Sequence, residues 1–126
     1  MMDEKFVVCK HCGNMAKMVK SSGVAMQCCG EEMSELTVNT VDASHEKHIP
    51  VVTVVGDEVI ARVGSVDHPM IEEHSILWIY LQTENGGQTK FLKPGDAPEA
   101  RFTLNKDVPV AVYAYCNLHG LWKTEL

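Results

Sequence analysis

From residue 50 onward the chain alternates short apolar runs with clusters of turn-forming residues. The runs cover 51–55, 59–63, 75–81, 88–92, 100–104, 110–115 and 121–124. They are rich in β-branched and aromatic residues and too short for globular helices, so each reads as a strand. Gly56-Asp57-Glu58 joins the first two as a hairpin, and Glu84-Asn85-Gly86-Gly87 turns the third into the fourth. Seven short strands with regular turns predict a β-sandwich of immunoglobulin-like type, with no helix longer than one turn.

Residues 1–37 carry a different pattern. A strand over 6–8 runs into Cys9, a second strand covers 15–19, residues 21–23 form a turn, and 24–27 lead into Cys28-Cys29-Gly30. Gly13 and Gly30 follow the two cysteine pairs, where a tight turn needs positive φ. A unit this short usually needs a metal, a disulfide or a partner to stay folded. Residues 38–45 are mostly polar and read as a linker, so the expected domains are 1–37 and 38–126. Pro50 keeps Ile49 extended, which places Glu46, Lys47 and His48 on a loop entering the first strand.

Composition narrows the class. Of 126 residues, 45% are hydrophobic and 22% charged, enough for a packed core. The net charge of −6 offers no basic stripe for nucleic acid and no attraction to an anionic membrane surface. No apolar run approaches the roughly 18 residues of a membrane span, and the N-terminus lacks an apolar signal core. The expectation is a soluble, cytoplasmic protein.

The five cysteines supply the first candidate chemistry. Cys9 and Cys12 form a Cys-x-x-Cys pair, and Cys28 and Cys29 are adjacent. Neighbouring Cα atoms lie only about 3.8 Å apart, below the usual disulfide range, so metal binding is the better account. Tetrahedral sulfur suits zinc or iron alike. Adjacent ligands should distort the tetrahedron, and His11, inside the first loop, is expected to be exposed and not a ligand.

The second constellation centres on Cys116 and His119, three apart between two strands. A thiolate and imidazoles together suit a borderline metal such as iron, zinc or copper. His48, His68 and His74 lie at turns or strand boundaries, so four histidines and one cysteine can converge on one redox metal at an end of the sandwich. Nucleophilic catalysis by Cys116 with His119 as base lacks an orienting third group in the sequence. A copper electron-transfer site with Met70 as axial ligand needs fewer histidines than are present.

These motifs resemble one family. Cys9-x-x-Cys12-Gly13 followed by Cys28-Cys29-Gly30 resembles the desulforedoxin-like module of the desulfoferrodoxins, the two-centre superoxide reductases. Glu46-Lys47-His48-x-Pro50, Gly64-Ser65-Val66-x-His68-Pro69-Met70, His74, the segment from Lys90 to Pro98, and Cys116-Asn117-Leu118-His119-Gly120 resemble the catalytic domain. The resemblance implies two mononuclear irons per chain. Cys9, Cys12, Cys28 and Cys29 would hold a distorted rubredoxin-like iron. His48, His68, His74 and His119 would ligate the second equatorially, with Cys116 axial. Glu46 would be a sixth ligand in the oxidised state and Lys47 would assist at the open face. The implied reaction is one-electron reduction of superoxide to hydrogen peroxide without release of dioxygen, with a rubredoxin-like electron donor. A homodimer is expected from the resemblance and from the apolar Met15, Val19, Val24 and Met26 of so small a unit. His45 has no assigned role. The alternatives are a non-catalytic iron electron carrier and a zinc-stapled binding module.

Overall fold

The computed structural model describes residues 4–40 and 43–126. Residues 1–3 and positions 41–42 of the expected linker lie outside them. The chain divides into two compact units, one ending at Thr37 and the other Val38–Leu126. Among the described residues no helix is long and apolar enough to cross a membrane.

The first unit is built from β1 (Phe6–Val8), β2 (Met15–Lys17), β3 (Gln27–Cys28), β4 (Glu31–Glu32) and β5 (Ser34–Glu35). β1 lies between β2 and β5 in an antiparallel sheet, and β3 and β4 form a separate hairpin. Phe6 and Val7 are buried. The strand expected over 15–19 ends at Lys17, and Val19 stands almost fully exposed.

The second unit holds α1 (His45–His48), β6 (Pro50–Val55), β7 (Glu58–Val63), β8 (Ile76–Thr83), β9 (Gly87–Phe91), β10 (Glu99–Thr103), β11 (Pro109–Cys116) and β12 (Gly120–Glu125). One sheet has the order β10-β7-β6 and the other β12-β11-β8-β9. Period-two alternation sets the inward faces. Val59, Ala61 and Val63 of β7 and Ala100 and Phe102 of β10 meet Ile79, Leu81, Val112, Ala114 and Cys116 of the opposite sheet. Each large apolar side chain fully buried here contributes about 1.5–3 kcal/mol. The seven expected strands are all present, with ends shifted by a residue or two.

Two local expectations are corrected. Residues 46–48 are not a loop: His45–His48 form a single helical turn, closed by the Ile49 N–H donating to the His45 carbonyl at 2.9 Å. Ile49 is extended (φ −69°, ψ 120°), as Pro50 demands, and this ends the turn. Nor is the start of the linker free of the sheet. Val38 bridges to Leu121, and the Asn39 side chain donates to the Lys123 carbonyl and accepts the Lys123 N–H. One asparagine thus supplies hydrogen bonds that a polar composition does not reveal.

The strand register gathers chemistry at one end. Pro50 pairs with Val63, and Cys116 pairs with both Ile76 and Gly120. The turn α1, the segment from Gly64 to Ser75 and the β11–β12 turn therefore emerge side by side.

Candidate metal centres

In the first unit the sulfurs of Cys9, Cys12, Cys28 and Cys29 lie within 4.8 Å of one another. The Cys9 N–H donates to the Asn14 carbonyl at 2.7 Å and the Gly13 N–H to the Cys9 carbonyl at 2.9 Å, closing the first loop. The adjacent pair reaches the same point by a backbone device. Cys29 adopts φ 54°, the left-handed region, followed by Gly30 at φ 78°. A non-glycine residue there costs free energy and is held only where its surroundings demand it. His11 is exposed and pairs with Glu31 at 3.0 Å.

The thiols fit a cation. Hydrogen bonding from the Cys12 backbone N–H brings the Cys9 thiol down to about 6, with desolvation working against it. Hydrogen bonding with Cys12, then with Cys9 and Cys28, pushes the Cys29 thiol up to about 12. Four neighbouring sulfurs cannot all ionise unaided; a bound cation lets them.

In the second unit α1 supplies His48, the β7–β8 segment His68 and His74, and the β11–β12 turn Cys116 and His119. The ligating atoms of His48, His68, His74 and Cys116 lie within 4.8 Å of one another. His119 joins them, with its Nδ1 at 3.1 Å from His48 Nε2 and 3.9 Å from Cys116 Sγ. Cys116, His48 and His68 are buried.

The tautomers are forced. His48 Nδ1 donates to the Ser44 carbonyl at 2.6 Å, and His68 Nδ1 to the Pro69 carbonyl at 2.7 Å. A carbonyl only accepts, so both protons sit on Nδ1 and both Nε2 atoms are bare. Burial lowers the affinity of His48 for a proton, and it pushes His68 down to about 4. At neutral pH the two Nε2 lone pairs therefore face each other across 3.2 Å. Among the described residues, His74 Nε2 is buried without a hydrogen-bond partner. Burial also raises Cys116, opposed by the N–H groups of Leu118 and His119. Converging lone pairs beside a shielded thiol are repulsive on their own and become favourable around a metal ion. Met70 does not belong to this set: its sulfur accepts the Ile76 N–H at 3.4 Å and its side chain packs on the core.

A family model described as Desulfoferrodoxin matches residues 40–125. The chain belongs to the desulfoferrodoxin family. The desulfoferrodoxin of Syntrophotalea carbinolica is 46% identical, covering 98% of this chain and 99% of its own. That of Nitratidesulfovibrio vulgaris is 47% identical over 93% of this chain and 92% of its own. The crystal structure of the superoxide reductase from Treponema pallidum is similar with a TM-score of 0.83 at 41% identity, covering 98% of this chain and all of that one.

Other residues of this desulfoferrodoxin-family chain hold the ligand candidates in place, and sequence reasoning passed over them. The Asn117 side chain donates to the Glu73 carbonyl and accepts the Ser75 N–H, both at 3.0 Å, fixing the backbone on each side of His74. Gly64 has φ +89°, and a Cβ on it would collide with the Glu46 carbonyl. That same carbonyl accepts the Val66 N–H at 3.0 Å and the Ser65 hydroxyl at 3.3 Å. Asn117 and Gly64 stand within the motifs themselves, which was the available signal; the Ser44 and Pro69 carbonyls leave none. Glu46 and Lys47 are both exposed. The positive charge of Lys47 reaches His48 and His74. The hydrogen bonds of Glu46 to the β7–β8 segment are made by its carbonyl, and the structure does not bring its carboxylate into the cluster.

Proposed function

We propose that the chain is a superoxide reductase, forming hydrogen peroxide from superoxide, one electron and two protons. The observation that carries the reading is the convergence of bare imidazole nitrogens on a buried cysteine, in a chain similar over its full length to a superoxide reductase. We assign His48, His68, His74, His119 and Cys116 as ligands of one iron, and Cys9, Cys12, Cys28 and Cys29 as ligands of another. Iron at the His/Cys set would supply the electron that reduces the substrate. The protein contributes the rest. Neutral imidazoles add no charge, and two backbone N–H groups temper the Cys116 thiolate. Glu46 would reach the site only by movement of its side chain, since its carbonyl is pinned. The test is pulse radiolysis of the reduced, iron-loaded protein. Peroxide without dioxygen is expected; dioxygen and peroxide in equal yield, or zinc at the His/Cys set, would exclude the reading.

Lys47 resolves the mismatch between an acidic protein and an anionic substrate. At physiological salt the Debye length is about 8 Å, so distant carboxylates are screened and a nearby ammonium dominates. The second-order rate of Lys47→Ala should fall about tenfold with metal content unchanged, and its salt dependence should shrink. An unchanged rate and salt slope would return Lys47 to an ordinary surface residue.

We assign a rubredoxin-like electron donor and a homodimeric assembly on family resemblance. The dimer is also supported by Val19, Val24 and Met26, which are exposed in a unit with little core of its own. Sedimentation at micromolar concentration should give twice the chain mass; a monomer would exclude the dimer.

A further inference from the structure

Trp122 is buried on β12, outside the set of ligand candidates. Its indole ring lies against the His48 imidazole, with centroids 4.9 Å apart and planes inclined by 26°. His45 meets the same indole edge-on, at 5.2 Å and 79°. His45 and His48 are three apart on α1 and so share a face of that turn. The indole N–H donates to the His119 carbonyl at 3.0 Å. One side chain therefore touches two segments separated by most of the second unit.

An isolated helical turn has no stability of its own, because nucleation fixes several residues for a single hydrogen bond. Something outside α1 must hold it in register. The Glu46 carbonyl is held from the β7–β8 side by Val66 and Ser65. Trp122 holds the turn by its side chains, through the two histidines. The β11–β12 turn has a similar need: the His119 carbonyl points its dipole at the indole N–H, which fixes the backbone from which the His119 ring projects.

We propose that Trp122 is a positioning residue for the His48/His119 half of the metal centre, clamping α1 by ring contact and the His119 turn by hydrogen bond. This rests on the assignment of those histidines as ligands. His45 thereby gains a role, as the second jaw on the indole and not as a ligand.

The experiment compares iron-loaded full-length wild type, Trp122→Phe, Trp122→Leu and Phe102→Leu. Phe keeps an aromatic face for His48 and removes the N–H donor; Leu removes both. Phe102 is a core residue of β10 and serves as a control for general destabilisation. Iron transfer from the His/Cys set to a chelator is timed by loss of its visible absorption, and thermal unfolding of the metal-free proteins is measured in parallel. Release should accelerate about tenfold in Trp122→Phe and further in Trp122→Leu, the range of outer-shell effects on metal affinity. The absorption maximum of both Trp122 variants should also shift, since the imidazoles are no longer held at the same angle. Phe102→Leu should lower thermal stability with release and absorption unchanged. Release from Trp122→Phe within about twofold of wild type would overturn the proposal, as would matched acceleration in Phe102→Leu. If wild type itself bound no iron at the His/Cys set, the ligand assignment would fail instead, and the two failures are distinguishable.

Discussion

In His68→Ala, peroxide formation should fall by more than about 100-fold, beyond what outer-shell losses cause, while the absorption of the N-terminal centre persists. Cys12→Ser should give the opposite result: the N-terminal absorption is lost and reduced protein still converts superoxide. The two proposed ligand sets share no residue and lie in separate compact units. His68 suits the purpose because its Nδ1 is already committed to the Pro69 carbonyl, so alanine removes a nitrogen whose only free direction is toward the cluster. Circular dichroism should show the strands of the second unit, which make up most of the strand content, intact in both variants. Loss of peroxide formation in Cys12→Ser, with iron still present at the His/Cys set, would show that the centres are not independent.

Metal-free protein should lose stability steeply as pH falls from 6.5 toward 4. His68 titrates near 6.5 when unfolded and near 4 when folded, so between those values the unfolded chain binds a proton that the native state refuses. Stability therefore rises with pH across the window and is complete above 6.5. The depression corresponds to about 3 kcal/mol for His68 alone, a large share of a domain's total. His48 and His74 are lowered too, chiefly by burial, and add in the same direction. Trp78 and Trp122 both lie in the second unit, so their fluorescence reports its urea unfolding. Equal midpoints at pH 7 and pH 5 would contradict buried neutral imidazoles.

The strands were legible in the sequence because short runs rich in β-branched and aromatic residues, bounded by turn formers, are a property of side chains. Val59, Ala61 and Val63 alternate with Ile60 and Arg62, and burial follows the same beat. The turn α1 was not legible, since four polar residues without periodicity look like any loop. The histidines and cysteines stood out by type and by their place at strand ends, and the fold brings them into two groups. What orients them was hidden for a physical reason. The Ser44 and Pro69 carbonyls belong to the backbone, and every residue has one. The left-handed twist at Cys29 is likewise a torsion, visible only as an awkward adjacency. Trp122 reads only as part of the last strand; its contacts with His48, His45 and the His119 carbonyl depend on segments that are not its strand neighbours in sequence.

The unequal exposure of the two clusters bears on how the protein behaves when it is prepared. Cys12 and Cys29 are exposed and Cys28 is half-buried, while His48, His68 and Cys116 are shielded. Exchange with ions from the medium should be faster at the sulfur cluster, where a competing thiol or chelator can approach. Zinc acquired from a host cell would collect there first, since sulfur tetrahedra accept either metal. A purified batch with less than two irons per chain could then still be fully competent toward superoxide, and specific activity should be normalised to the iron of the histidine cluster alone.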